Sequence, residues 1–214
     1  THPVRRDLHR AYIRQCLDNF ADNSNVIQFT SAEYTGPLHF MEFWLDTIAE
    51  WQREHPASSP VIALSATKDV QDAILEDARR ADIVDVVDFR YWWRTPKGEF
   101  APPGGASLAP RQFERRWRGG RPDDDDLAEM ASEYRRRFPG KPVISNFESA
   151  SWAWLCAGGS QPRIPASTDD RLLRHLPDMA PIAAAEDQPS FVLAQSGRHY
   201  LACGKRGMEA SIDL

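Results

Sequence analysis

Two glutamates that follow short apolar segments are the residues best suited to chemistry in this chain. Glu33 comes shortly after an apolar segment at 26–30, and Glu148 follows the apolar pair Val143-Ile144. When strands lie parallel in a sheet, the loops at their carboxyl ends gather on one face, where ligands bind. We therefore expect Glu33 and Glu148 to face one cleft.

Two carboxyl groups in one cleft suit the cleavage of a glycosidic bond. One carboxyl donates a proton to the leaving oxygen, and the other stabilises the positive charge that develops on the sugar carbon. A third apolar segment ends in Asp88, Arg90 and the aromatic run 91–93, whose rings suit the apolar face of a pyranose. A glutamate after a strand is also typical of a helix N-terminus or a solvated loop, so the carbohydrate site is a hypothesis.

Composition and charge exclude several classes of protein. The chain has 214 residues, a formal charge of -5 and a sequence pI near 5.7, which gives no basic field for a nucleic acid backbone. No apolar run approaches the roughly 20 residues that span a bilayer, so we expect no membrane association. The three cysteines and six histidines lack the spacing of a disulfide framework or a metal site, and we predict neither a metal nor a cofactor.

Strand and helix patterns alternate along the first two thirds of the chain. Strands are predicted at 26–30, 61–64, 83–87 and 143–144, and amphipathic helices separate them. Single helices between strands indicate right-handed βαβ crossovers and a parallel sheet, so the predicted class is α/β. The intervening helices have apolar stripes at helical spacing: Leu8, Tyr12, Cys16 and Phe20; Met41, Trp44, Leu45, Ile48 and Trp51; Val70, Ile74 and Ala78; Leu127, Met130, Tyr134 and Phe138.

Two segments differ from this alternation. The proline- and glycine-rich stretch 91–126 predicts a long loop, of which 93–122 would cover the cleft. Its acidic end, 123–126, is typical of a helix N-cap, with a metal site as the alternative. From about Gln188 the chain changes to short strands at hairpin spacing. We therefore predict two domains, at 1–187 and at 188–214.

The order of these elements resembles a known family of enzymes. Ala32-Glu33-Tyr34-Thr35-Gly36-Pro37 after one strand and Asn146-Phe147-Glu148 after a strand three units later resemble the retaining glycoside hydrolases of clan A. More narrowly, His9–Tyr12, Phe43–Thr47, Ala157-Gly158-Gly159 and Gly197–Leu201 are similar to bacterial cellulase-like barrel proteins. Those proteins have a C-terminal β domain that is sometimes described as collagen-binding.

The resemblance implies a fold and a set of roles. The chain would be the second half of a (β/α)8 TIM barrel, strands four to eight, followed by the start of an antiparallel β domain. Glu33 would be the acid/base and Glu148 the nucleophile. The predicted substrate-binding residues are Tyr34, Asp88, Arg90, Tyr91, Trp92, Trp93 and Asn146. For Asp88, a hydrogen bond within the barrel is an equal alternative.

Two alternatives to a retaining glycosidase stay open. Ala32 stands where the family usually has asparagine, so the alternative is a non-catalytic carbohydrate-binding or degenerate barrel protein. A lyase or aldolase is a third hypothesis, with Lys68 as its Schiff-base candidate.

The first three strands of the barrel have no counterpart in the sequence. Half a barrel would expose strand four as a bare edge together with its apolar faces. We therefore expect either a partner chain that carries the first half or self-association. Apart from that chain, the predicted partner is a carbohydrate, and the resemblance favours a secreted or periplasmic protein.

Overall fold

A computed structural model describes residues 2–31, 35–95, 97–105, 122–182 and 190–204. These residues fall into two compact units. Unit 1 takes in the described residues of Thr1–Trp92 and Glu99–Arg118, and unit 2 those of Trp93–Gly98 and Gly119–Leu214. The first strands and helices therefore belong to unit 1, and the C-terminal strands belong to unit 2.

The described elements are short and mixed in type. The helices are α1 (Pro3–Asp18), α2 (Leu38–Glu54), α3 (Lys68–Glu76), α4 (Ala78–Ala81), α5 (Asp124–Arg137), α6 (Trp152–Cys156), α7 (Asp170–His175) and a 3-10 turn at Leu176–Asp178. The strands are β1 (Ile27–Phe29), β2 (Val61–Ser65), β3 (Val86–Asp88), β4 (Trp93–Arg94), β5 (Phe100–Ala101), β6 (Val143–Ile144), β7 (Ala180–Ile182), β8 (Ser190–Gln195) and β9 (His199–Gly204). Among these described helices, none is long and apolar enough to cross a bilayer.

Parallel strands form the centre of unit 1. β1 pairs with β2, which places Phe29 beside Ala63, and β2 pairs with β3, which places Ser65 beside Asp88. Helix α2 makes the first crossover, and α3 with α4 makes the second, so the strands run in one direction and end at one edge. The predicted α/β class is confirmed, whereas the half-barrel of strands four to eight stays a prediction.

Helix α2 buries the face that its sequence predicts. Met41, Leu45, Ile48 and Trp51 are buried, and Trp44 is partly buried. Their spacing of three or four residues puts them on one side of the helix, where apolar burial contributes about 25 cal/mol per Å². α2 is therefore one of the main packing elements of unit 1.

The fully buried residues of helix α1, which packs against α2, lie outside its predicted stripe. The buried side chains of α1 are Ile13 and Leu17. Leu8 is 65% exposed and Tyr12 is 61% exposed, and Phe20, just beyond the helix, is 44% exposed. Leu8 and Phe20 of the predicted stripe are therefore exposed, whereas Cys16 is partly buried and the Tyr12 ring lies edge-on to Trp44 of α2, with centroids 6.2 Å apart.

Unit 2 contains a helix whose N-terminus is capped as predicted. The Asp123 carboxylate accepts a hydrogen bond from the Asp126 N–H at 2.9 Å, and the Asp126 carboxylate accepts one from the Asp123 N–H at 3.2 Å. This reciprocal pair is a capping box, which satisfies two N–H groups that lack a partner within the helix. The prediction that 123–126 caps α5 is confirmed, and Leu127, Met130 and Tyr134 are buried.

The C-terminal strands form an antiparallel sheet within unit 2. β8 pairs with both β7 and β9, and the hairpin between β8 and β9 turns at Gly197, whose φ is +75°. Glycine adopts this left-handed conformation without the steric penalty of a Cβ atom. The predicted hairpin is confirmed, and β7 begins at Ala180, before the predicted start of the β segment at Gln188. The domain boundaries, 1–187 and 188–214, stay a prediction.

Candidate functional site

Polar side chains gather at the carboxyl ends of β1, β2 and β3 in unit 1. The Thr30 hydroxyl accepts a hydrogen bond from the Ser65 N–H at 3.0 Å, and the Ser31 hydroxyl donates to the carbonyl oxygen of Ser65. With the residues that end β3, they form the strand-end cluster, which consists of Thr30, Ser31, Ser65, Asp88 and Arg90. The parallel register places these side chains together because it aligns the strand ends.

Asp88 is the buried acid of the strand-end cluster. Its side chain is fully buried, and its Oδ2 accepts a hydrogen bond from the Ser65 hydroxyl at 2.7 Å. Arg90 Nε lies 3.0 Å from the same oxygen, which is an ion-pair distance, although its orientation makes no hydrogen bond. Oδ1 has no hydrogen-bond partner within the described part of the chain. Oδ1 is therefore an acceptor that a hydroxyl group or a water molecule could satisfy.

Burial dominates the ionisation of this acid. Removal from water raises the pKa of the Asp88 carboxyl, and the Ser65 hydroxyl and the Arg90 guanidinium oppose that rise. Desolvation disfavours the charged form, whereas a hydrogen-bond donor and a cation favour it. Because the pKa of Asp88 rises overall, the contacts with Ser65 and Arg90 do not compensate for the loss of solvent.

Gln71 joins the carboxyl-terminal parts of β2 and β3 through hydrogen bonds. Its Nε2 donates to the carbonyl oxygens of Leu64 at 3.1 Å and of Asp88 at 2.8 Å, and its Oε1 accepts a hydrogen bond from Trp92 Nε1 at 2.7 Å. Gln71 is fully buried, so these bonds satisfy a side chain that would otherwise be costly to bury. Sequence reasoning missed Gln71, and the available signal was a glutamine in the first turn of a helix that directly follows a strand.

An aromatic ring also borders the strand-end cluster. The Arg90 guanidinium carbon lies 4.8 Å from the centre of the Phe29 ring, in the geometry of a cation–π contact. Phe29 is 37% exposed, and with Thr30 and Ser31 it lines a cavity of about 270 Å³ in unit 1. The sequence had not singled out Phe29, although its place at the end of β1 could have indicated it.

The candidate nucleophile lies on an ordered turn of unit 2. Glu148 is exposed, and its carboxylate makes no hydrogen bond or ion pair with any residue that the structure describes. Beside it, Arg163 donates to the carbonyl oxygen of Asn146 at 3.2 Å, and the Ser149 hydroxyl donates to that of Pro122 at 2.7 Å. The backbone on both sides of Glu148 is therefore held in place while its side chain stays available.

The other predicted residues have different surroundings. Asp88 and Arg90 are brought together, and Trp92 joins them through Gln71. Tyr91, Trp92 and Trp93 are all buried, so none of the three rings is open for stacking on a sugar in this structure. Asn146 is exposed in unit 2. Ala32, Glu33 and Tyr34 lie outside the described residues.

No metal centre is evident in the part of the chain that the structure describes. No group of three or more histidine, cysteine, aspartate or glutamate side chains there has the arrangement that holds a metal ion. The acidic residues of 123–126, the alternative metal site of the sequence analysis, include both members of the capping box of α5.

These observations define an α/β protein with a polar cluster at the carboxyl ends of parallel strands. The chain belongs to the family described as Domain of unknown function (DUF6298), whose model matches residues 1–179. The match ends immediately before β7. No curated protein and no solved structure matches the chain.

Proposed function

We propose that this chain takes part in the hydrolysis of a glycosidic bond by a retaining mechanism with two glutamates. Glu148 serves as the nucleophile, and Glu33 serves as the acid/base. The observation that carries the proposal is the state of Glu148, an exposed carboxylate without a partner among the described residues, on a turn whose backbone is held on both sides. A carboxylate in this state is free to approach a substrate, and carboxylates are the nucleophiles of covalent glycosidase mechanisms.

The strand-end cluster of unit 1 is a separate part of the proposal. Sugars present many hydroxyl groups, and each can donate and accept hydrogen bonds. Asp88 Oδ1 is an acceptor without a partner in the described structure, and the partly exposed Arg90 supplies donors beside it. These two residues are the proposed contacts to sugar hydroxyl groups.

The proposed reaction proceeds in two steps. In the first, a Glu148 oxygen attacks the anomeric carbon, and Glu33 donates its proton to the departing glycosidic oxygen. The bond to the leaving group breaks, and a glycosyl ester on Glu148 forms. In the second step, Glu33 removes a proton from water, the water oxygen attacks the same carbon, and Glu148 is released. Two inversions at one carbon retain its configuration.

Trapping the ester intermediate tests the proposal directly. The full chain is incubated with 2-deoxy-2-fluoro glycosides that have activated leaving groups, in a panel that covers common sugars, and labelled peptides are mapped by mass spectrometry. The fluorine slows both steps, and the activated leaving group restores the first, so the ester accumulates. We expect the label on Glu148 and no label in Glu148→Gln.

A matched control separates the proposed role of Glu148 from the effect of removing any exposed carboxylate. Glu129 is exposed on α5 and, like Glu148, makes no hydrogen bond or ion pair with the described residues. Glu129→Gln should retain labelling and any hydrolysis that the wild type shows on oligosaccharides. Labelling at another carboxylate, or equal turnover by wild type and Glu148→Gln, would refute the proposal.

Ala32 favours a second candidate function, a carbohydrate-binding protein without catalysis. In the clan A glycoside hydrolases that the sequence resembles, the residue before the acid/base glutamate is usually an asparagine that binds the sugar. Alanine has no polar group to replace it. Glycan binding by both wild type and Glu148→Gln, with no turnover or label in either, would support this candidate.

A further part of the proposal concerns a protein partner. β1 is the edge strand of its parallel sheet in the described structure, and α1 exposes Leu8 and Tyr12. A bare parallel edge with an apolar helix face suits an additional strand and helix. We propose that another chain, or a second copy of this one, supplies them.

A further inference from the structure

Two cysteines that are far apart in the sequence lie next to each other in unit 2. Cys156 is the last residue of α6, and Cys203 is on β9. Their Sγ atoms are 3.0 Å apart, and both thiols are free. The sequence spacing of 47 residues gave no sign of this pair, because α6 and β9 meet only through the folding of unit 2.

The structure holds both sulfur atoms in place. α6 packs against β8 and β9, and the Cys156 thiol is directed towards that sheet, where the Leu201 carbonyl oxygen is 3.6 Å away. Cys203 pairs with Phe191 in the register of β8 and β9. Both sulfurs are therefore positioned by secondary structure, and their approach does not depend on a loose loop.

The two thiols differ in access and in acidity. Cys156 is buried, whereas Cys203 is partly exposed. The Cys156 thiol donates a hydrogen bond that lowers the pKa of Cys203, and the same bond, with burial, raises the pKa of Cys156. Since the thiolate is the reactive form, Cys203 is the thiol that reacts first with a reagent from solution.

We propose that Cys156 and Cys203 are a site of disulfide formation that covalently joins α6 to the β7–β9 sheet. The oxidant is a small-molecule disulfide or a protein disulfide. This proposal is independent of the hydrolytic activity proposed above.

Disulfide formation here proceeds by two exchanges. The Cys203 thiolate attacks one sulfur of the oxidant, whose S–S bond breaks and releases the first thiol. Cys156 then loses its proton and attacks the Cys203 sulfur, which releases the second thiol. One S–S bond replaces two S–H bonds in the protein, and the two electrons reduce the oxidant to two thiols. A covalent S–S bond of about 2.05 Å requires the sulfurs to approach by roughly 1 Å.

Oxidation of the full chain with oxidised glutathione tests this proposal. The reduced protein is incubated under native conditions, excess reagent is removed, and remaining thiols are counted after denaturation. We expect a loss of two of the three thiols and a mass lower by about 2 Da, with Cys156 and Cys203 in one peptide pair under non-reducing conditions. The thermal unfolding midpoint should also rise by several degrees and return on reduction.

Single variants separate the roles of the three cysteines. Cys16→Ser should oxidise as the wild type does, because the Cys156 and Cys203 sulfurs already contact each other. Cys156→Ser should stop at a stable mixed disulfide between Cys203 and glutathione, since the second thiol is missing. Cys203→Ser should leave Cys156 unmodified in the folded protein. A persistent mixed disulfide in the wild type, a bond that includes Cys16, or no reaction under conditions that oxidise the unfolded chain would overturn the proposal.

Discussion

Replacing Gly159 with alanine tests the close packing that holds the turn after α6. A Cβ atom at Gly159 would lie 2.1 Å from Trp154 Cε2 and 2.3 Å from two further atoms of the indole. Ordinary contact begins near 3.4 Å, so the ring would have to move by about 1.3 Å. Trp154 is fully buried, and its Nε1 donates to the Ser160 carbonyl oxygen at 2.9 Å. The indole therefore cannot shift without disturbing its neighbours.

The expected loss follows from these contacts. Overpacking of a well-packed core lowers stability by about 1–3 kcal/mol, and a displaced indole also loses a hydrogen bond that contributes about 0.5–1.5 kcal/mol. Alanine restricts the unfolded chain more than glycine does, which offsets about 0.4–1 kcal/mol. Gly159→Ala should therefore lower the free energy of unfolding by about 0.5–4 kcal/mol, with a central value of about 2 kcal/mol.

Gly140 provides the matched control for this substitution. A Cβ atom there would meet nothing within 4 Å, and the backbone of Gly140 does not have a positive φ. Gly140→Ala should therefore leave stability unchanged or raise it by about 0.4–1 kcal/mol. Urea unfolding followed by far-ultraviolet circular dichroism measures both variants. Equal midpoints for Gly159→Ala and the wild type would refute the packing argument.

Three further predictions concern the buried acid, the helix cap and the exposed helix face. Because the folded-state pKa of Asp88 is raised, ionisation of this carboxyl opposes folding. In urea titrations, the wild type should lose stability relative to Asp88→Asn as pH rises through that pKa, by at most about 1.4 kcal/mol per pH unit. A stability difference between the two proteins that does not change with pH would contradict this. Asp123→Ala should lower the free energy of unfolding by about 1 kcal/mol in thermal or urea unfolding, whereas Glu129→Ala on the same helix should change it by less than about 0.5 kcal/mol. In sedimentation velocity, the wild type should associate, and the double variant Leu8→Ser with Tyr12→Ser should weaken that association at least about tenfold, or 1.4 kcal/mol; a monomeric wild type with no partner chain would contradict it.

The sequence predicted those elements whose apolar residues follow a simple period. Most of the predicted stripe of α2 is buried, although Phe43 and Thr47 are buried as well, and β6 has the bounds of its apolar pair Val143-Ile144. The predicted strand at 83–87 begins later, at Val86, because the N–H groups of Ile83 and Val84 bond back to Arg80 and Ala81. A helical turn competes with the strand there, and periodicity does not reveal which backbone bonds form.

The stripe on α1 shows why a correct pattern can still mislead. Leu8, Tyr12 and Phe20 recur at helical spacing, but Ile13 and Leu17 make the buried contacts of that helix. Spacing identifies faces of a helix, and the arrangement of neighbouring elements decides which face is covered. An alternation of polar and apolar residues alone cannot supply that arrangement.

The candidate site was predictable only in part for a similar reason. Asp88 and Arg90 stood out because charged residues directly follow an apolar strand. Ser65 and Gln71 did not, since their importance comes from hydrogen bonds to other strands. The cysteine pair is the extreme case, because two residues without motif spacing become neighbours only through tertiary structure.

The amide of Gln71 has a consequence for engineering this protein. Because the Gln71 side chain bonds to Leu64 in β2, to Asp88 at the end of β3 and to Trp92, the loops that leave these two strands share a single anchor. If one loop is exchanged for that of a relative and the other is kept, the backbone of the new loop must still fit the Gln71 amide. Chimeras that transfer both loops together with the glutamine should keep the loop conformations. Chimeras that transfer only one of the loops should not.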